Sequence, residues 1–177
     1  MTRPVSSVLL VCTGNVCRSP FAELLLRTRV PGITVASAGI DALGGDPMEH
    51  RMAEEARRRG ADPAGFRARQ VRGEDLAADL VLVMSERQRS HLREEDPSVV
   101  RRLGLLGHVP ELAAIAARQG PGLDSGAVDR WTRQALPPGR DVPDPYRRPP
   151  EVAAATARRI ESLVDQLAVL LTATGER

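Results

Sequence analysis

Val8-Leu9-Leu10-Val11-Cys12-Thr13-Gly14-Asn15-Val16-Cys17-Arg18-Ser19-Pro20 carries the chain from an apolar, β-prone run into a cysteine, through a short turn, and on to a helix start. The apolar run, extended back to Val5, reads as a short buried strand, and Ser19-Pro20 reads as a cap followed by the first helical turn. Five residues separate Cys12 from Arg18. That length lets the backbone curl so that several amide N–H groups converge on one point, and such a nest binds an oxyanion. The Gly14-Asn15 pair supplies residues that tolerate positive φ. The positive end of the helix adds to the same field, which favours a phosphate and lowers a thiol pKa. Cys12 is therefore expected to be a thiolate at neutral pH. Arg18 is expected to grip two phosphate oxygens with its planar fork; as a first-turn surface residue it would only oppose the helix macrodipole. A nucleotide P-loop is excluded, because no Gly-Lys-Ser/Thr ending follows.

Outward from this loop, strands and helices alternate. Residues 20–29 form an amphipathic helix with Phe21, Leu24 and Leu25 on one face, and Ile33 to Ala38 a second strand closed by Ser37-Ala38-Gly39. A turn at Gly44-Gly45-Asp46-Pro47 precedes a helix from about Met48 to Arg59. Leu80 to Met84 is continuously apolar, as a strand buried on both faces of a parallel sheet must be. Ser85 to Arg93 reads as a capped helix, Val99 to Leu106 as a weaker strand, and Glu111 to Arg118 as a short helix. The Gly-, Pro- and Asp-rich segment from Gln119 to Pro150 is expected to be mostly irregular. A final helix from about Pro150 shows an apolar stripe of Ile160, Leu163, Val164, Leu167 and Leu171. The expectation is a single doubly wound α/β domain over residues 1–177. Its four-stranded parallel sheet is flanked by helices, and the phosphate-binding loop follows the first strand.

With 177 residues and 42% apolar content, the chain can bury a core without staples. Its two cysteines both fall within the loop, so they read as chemical and the expected compartment is a reducing cytoplasm. The apolar run before Cys12 is shorter than a signal core, and Val11 is not the small residue that a cleavage site needs. No run approaches a membrane span. All 25 basic residues are arginine, and the net charge is +2. Pairs and triplets such as Arg57-Arg58-Arg59 read as solvated helix faces rather than a nucleic-acid surface, since stacking aromatics are nearly absent. Cys12, Cys17, His50, His91 and His108 lack metal-ligand spacing, so no metal or other cofactor is expected.

Val11-Cys12-Thr13-Gly14-Asn15-Val16-Cys17-Arg18-Ser19-Pro20, with Phe21-Ala22-Glu23 after it, resembles the low-molecular-weight protein tyrosine phosphatases. Ser37-Ala38-Gly39, Ala78 to Met84 and Asp144-Pro145-Tyr146 are similar to further segments of that family. The resemblance implies hydrolysis of phosphotyrosine through a cysteinyl phosphate, with Cys12 as nucleophile and Asp144 as general acid and then base. Residue chemistry alone leaves Asp46, Asp141 and Asp144 open for that acid. It further implies that Thr13, Gly14, Asn15, Val16, Cys17 and Ser19 bind the phosphate and that Tyr146 walls the slot. Asn15 serves either the left-handed turn or the substrate, and Ser19 either caps the helix or aims its hydroxyl at the Cys12 sulfur. Cys17 is either a packing residue or the partner in a protective disulfide. The implied partners are a phosphotyrosine protein or peptide and a cognate tyrosine kinase, with the enzyme a monomer.

Three departures stand out. Phe66 lies near the place where the family commonly has a histidine that holds the loop asparagine. Arg147 stands where a second slot aromatic is common, and Ile40 to Met48 contains no aromatic at all. Arg147 and Arg148 therefore point to acidic phosphopeptides. Arsenate reductases of similar loop carry relay cysteines downstream, and none follows Cys17 here. Phosphoarginine phosphatases place a threonine at Val16, where this chain offers no hydroxyl.

Overall fold

A computed structural model describes residues 2–118, 120 and 122–173. Four strands, β1 (Ser7–Cys12), β2 (Thr34–Gly39), β3 (Leu80–Val83) and β4 (Leu103–Leu105), form one parallel sheet in the order β2-β1-β3-β4. Among the described residues, six α-helices connect and flank them: α1 (Arg18–Arg29), α2 (His50–Arg58), α3 (Glu86–Glu95), α4 (Val109–Ala116), α5 (Ser125–Thr132) and α6 (Pro150–Thr172). The sheet is apolar on both faces because alternate residues of each strand point to opposite sides. Val8, Leu10, Leu80 and Leu82 join the larger core beneath α1, α2, α4, α5 and α6, while Leu9, Val11, Val81 and Val83 join a smaller one with Leu92 of α3. The chain leaves β1 toward β2 on one side and later returns to β3 on the other. The loop after β1 thus sits at the switch point, where open α/β sheets bind ligands.

The expected strand from Val99 is shortened, because Asp96 accepts a hydrogen bond from Ser98 N (2.9 Å) and starts a 3-10 turn over Pro97–Arg101. Only Leu103–Leu105 remains extended. Within the segment expected to be irregular, α5 is a clear helix. Asp124 caps it by accepting from Ala127 N (2.8 Å), and the fully buried Trp131 anchors it. A Cβ on Gly104 would lie 2.0 Å from the Trp131 ring, so β4 needs glycine where the indole rests. Turn-forming residues around α5 hide a helix held mainly by that tertiary contact.

Among the described residues, no helix is long and apolar enough to cross a membrane. Several surface arginines have acidic partners within the fold: Arg59 pairs with Glu55 and Glu161, and Arg101 with Asp129.

Candidate active site

The loop between β1 and α1 is shaped from outside. Its carbonyls at Cys12, Thr13 and Gly14 accept from Ile40 N, Asp41 N and Leu43 N, each at 3.0 Å, and Val16 O accepts from Glu49 N at 2.7 Å. In a trans peptide the carbonyl and the next N–H point opposite ways. The amides of Thr13, Gly14, Asn15 and Cys17 are therefore turned toward the interior of the curl, where they can serve an oxyanion. Asn15 is left-handed (φ 55°), but Gly14 is not, so the expected positive-φ pair reduces to one residue. The glycine that the curl does require is Gly39 at the end of β2, where a Cβ would sit 2.4 Å from Thr13 O.

Behind the curl lies a buried polar chain. Cys12 Sγ is 3.0 Å from Ser19 Oγ, and Asn15 Nδ2 donates to Ser19 Oγ and to Ser37 Oγ, both at 2.9 Å. Asn15 Oδ1 accepts from Arg69 N at 2.9 Å, and Ser37 Oγ donates to Glu23 Oε2. Ser19 is thus not the helix cap. Helix α1 begins one residue earlier at Arg18, no side chain caps it, and the Ser19 hydroxyl is turned to the sulfur. Asn15 is fully buried and spends every side-chain hydrogen bond on the scaffold, so its side chain is a structural brace. Phe66 packs against the core, and the backbone of Arg69 together with Ser37 holds the asparagine.

Arg18 is 5% exposed and reaches across to the loop before α6. Its Nη1 donates to Val142 O (3.1 Å), its Nη2 pairs with Asp144 Oδ2 (3.0 Å), and its buried Nε has no protein partner. That Nε is left with a donor to offer an oxyanion. Asp144 Oδ1 accepts from Tyr146 N at 3.1 Å, and Val142 N donates to Met84 O at 2.8 Å, pinning the loop beyond the end of β3. The other two candidate carboxylates lie elsewhere. Asp141 accepts from Glu86 N (3.0 Å) at the start of α3, and the exposed Asp46 does not line the cavity.

Cys12, Thr13, Gly14, Val16, Cys17 and Arg18 line a cavity of about 180 Å³, with Asp144 and Tyr146 on the facing loop. Asn15 and Ser19 stand behind it. Tyr146 is partly exposed, and the left-handed Arg147 (φ 56°) lays its guanidinium 5.1 Å from the Tyr146 ring centroid. Both cysteines are free and buried, and burial pushes the Cys17 thiol far above its ordinary range, with Glu49 and Asp144 adding to the effect.

Sequence reasoning missed Asp41 and Leu43, which complete the cavity wall where the family's aromatic was sought. It also missed Gln88. That buried side chain accepts from Met84 N and Ser85 N and donates to Thr13 Oγ1 (3.1 Å), tying β3 and α3 to the loop after β1. The Ser85-x-x-Gln88 spacing of a capping box was its available signal. Among the described residues, no group of three His, Cys, Asp or Glu side chains could hold a metal ion.

A profile described as low molecular weight phosphotyrosine protein phosphatase matches residues 7–114. The chain belongs to that family. The phosphatase loop lies inside the matched region, whereas Asp144 and Tyr146 lie beyond it. A low molecular weight protein-tyrosine-phosphatase, Wzb of Salmonella typhi, is 31% identical over 169 residues, 95% of each chain. A solved protein tyrosine phosphatase superposes with TM-score 0.75 at 29% identity, covering 96% of this chain and 98% of that one. The YwlE arginine phosphatase of Geobacillus stearothermophilus gives 0.71 at 28% identity, covering 92% and 90%. This phosphatase thus shares its fold with enzymes described for two different phosphorylated side chains.

Proposed function

We propose that this phosphatase hydrolyses phosphotyrosine in proteins or peptides through a cysteinyl phosphate. The carrying observation is the convergence of Cys12, Arg18 and Asp144 on one cavity, from the end of β1, the start of α1 and the loop before α6. Phosphate enters the curl of inward amides, and Arg18 holds its oxygens through Nε and Nη2. The Cys12 sulfur attacks phosphorus while Asp144 gives its proton to the departing phenolate. Ser19 donates to the sulfur and eases its departure in the second step. Asp144 then takes a proton from the water that attacks the cysteinyl phosphate and releases inorganic phosphate. Charge moving onto the equatorial oxygens in each transition state is met by donors already in place.

Val16 on the cavity wall favours phosphotyrosine over phosphoarginine, because it offers no hydroxyl to a guanidinium-bearing substrate. Arg147, held on the Tyr146 ring at the mouth, supports a preference for acidic flanking residues; equal turnover of acidic and basic phosphotyrosine peptides would refute it. The reading includes a cytoplasmic monomer that opposes a tyrosine kinase and needs neither cofactor, nucleic acid nor membrane.

A side-by-side rate comparison on phosphotyrosine, phosphoarginine and phosphoserine peptides, with Asp144→Ala as control, tests it. The expected order places phosphotyrosine first. Faster hydrolysis of phosphoarginine would assign this chain the other activity, and equal, negligible rates in wild type and Cys12→Ser would remove the enzyme reading.

A further inference from the structure

Glu23 is a buried carboxylate that the chemistry above does not use, 5% exposed on the inner face of α1. One of its oxygens pairs with Arg27 Nη2 (2.6 Å), and the other accepts the Ser37 hydroxyl. From there the chain of hydrogen bonds runs through Asn15 and Ser19 to Cys12 Sγ. Its sense is set by counting protons. The Asn15 amide nitrogen can only donate, so both serine hydroxyls accept from it and each must place its single proton elsewhere. Ser37 places its proton on Glu23. Ser19 faces Cys12 Sγ at 3.0 Å and, more distantly, Ala38 O at 3.4 Å.

We propose that Glu23 is a positioning residue that fixes the direction of this relay, so that the Ser19 proton points at the Cys12 sulfur. The proposal rests on the cysteinyl-phosphate reading and adds to it a residue on the far side of the loop. With Glu23 as a carboxylate, both of its oxygens accept. A glutamine at the same place has one acceptor, and Arg27 claims it. The amide nitrogen then faces Ser37 as a donor, and the Ser37 proton has only Asn15 left to turn to. Satisfying it requires the Asn15 amide to flip, which presents Oδ1 to both serines, draws the Ser19 proton away from sulfur and gives up the hydrogen bond that Arg69 N now donates to Oδ1. In this buried setting either outcome is costly, an unplaced Ser37 proton or a reversed chain that loses its Arg69 link, and the reversed chain withdraws the Ser19 proton from sulfur.

The surroundings permit a sharp test. Glu23, Arg27 and Ser37 border a separate cavity of about 440 Å³ behind the loop, together with Asp62, Arg67 and Arg69. With Arg27 removed, the oxygen of a glutamine at 23 is free to accept from Ser37 while its nitrogen turns to solvent in that cavity. Five variants are compared with wild type on an aryl phosphate and by calorimetric binding of inorganic phosphate: Glu23→Gln, Arg27→Ala, Glu23→Gln/Arg27→Ala, and Ser37→Ala with and without Glu23→Gln.

Glu23→Gln is expected to lower kcat/KM about tenfold, the scale of one buried hydrogen bond. Arg27→Ala alone stays within about twofold of wild type, the double variant recovers to within about threefold, and Glu23→Gln adds less than about twofold once Ser37 is alanine. An Arg27→Ala loss equal to that of Glu23→Gln would reduce the effect to a helix ion pair and overturn the proposal. So would an unchanged Glu23→Gln enzyme, or a double variant no better than Glu23→Gln. An inactive wild type would instead remove the phosphatase reading and the proposal with it, so the two failures are distinct.

Discussion

Residues 12–19 and residues 141–146 face each other across one cavity, and they are built in opposite ways. On the first loop Cys12, Asn15, Arg18 and Ser19 are at most 5% exposed, and the carbonyls are tied to the segment after β2. On the second the Asp144 side chain is 51% exposed and is held by Tyr146 N and the Arg18 guanidinium. The loop that carries the proposed nucleophile is held by the scaffold's own hydrogen bonds, as a site for developing charge must be. The acid loop is docked at a few points, chiefly Val142 on Met84 O and on Arg18. Asp144 therefore rests against the guanidinium that the phosphate is proposed to claim. In the roles proposed for them, Asp144 gains from an accessible position because it must deliver and later remove a proton, whereas Cys12 gains from rigidity.

The largest expected effect is on the rigid side. Cys12→Ser should lower aryl phosphate hydrolysis about ten-thousandfold or more, with circular dichroism unchanged. Iodoacetate at neutral pH should label wild type once, at Cys12. Cys17 should stay unmodified, because burial keeps its thiol protonated. Labelling of Cys17 in Cys12→Ser would show that the loop opens and that the contrast drawn above is too strong.

On the accessible side, Asp144→Asn should reduce turnover of phosphotyrosine about a hundredfold to a thousandfold, since a phenolate of pKa about 10 departs poorly without a proton. The loss should shrink sharply for an aryl phosphate whose phenol is several units more acidic. Equal losses on both substrates would make Asp144 a partner of Arg18 and not an acid.

The same contrast governs how much could be read from the sequence. The nucleophile loop is local: strand, cysteine, turn, arginine and helix start are contiguous, and their order alone implies a phosphate site. The sheet was legible for a similar reason, because Leu80 to Met84 has no polar face. Asp144 was not, since an Asp-Pro step in a Pro-rich segment reads as a turn, and only the resemblance singled it out from Asp141 and Asp46. Helix α5 escaped because what holds it is Trp131 against Gly104, a contact between positions far apart in the chain. Glu23, Ser37, Gln88 and Arg69 escaped because they stand in four separate parts of the chain, and the contacts that join them to one another or to the loop after β1 span long stretches of sequence. Ser19 read either as a cap or as a neighbour of the sulfur; the start of α1 at Arg18 removes the first role, and the hydroxyl lies 3.0 Å from Cys12 Sγ.

Asn15 separates conformation from bracing on the rigid side. Asn15→Gly keeps the left-handed backbone and loses the amide, whereas Asn15→Ala loses both. Each should lower kcat/KM about tenfold or more through the lost hydrogen bonds. The alanine should cost about 1 kcal/mol more in stability by denaturant unfolding, the penalty of placing a Cβ in the left-handed region. Equal stabilities would mean that the loop relaxes out of that conformation and is less preorganised than its buried contacts imply.

The smallest expected effect is at the foot of the acid loop. Asp141 accepts from Glu86 N at the first residue of α3, and it neither lines the cavity nor touches Arg18. Asp141→Ala removes one exposed acceptor from a helix start that Ser85 and Gln88 already cap. Its cost should be about 0.5–1 kcal/mol of stability, with kcat on phosphotyrosine within about twofold of wild type. The docking of Val142 on Met84 O and the Arg18 contact remain intact in that variant, and they are what place Asp144. A tenfold fall in kcat with stability preserved would locate the anchoring of the acid loop at Asp141 instead. The loop would then be as dependent on a remote brace as the nucleophile loop is, and the division between a rigid and an accessible side would dissolve.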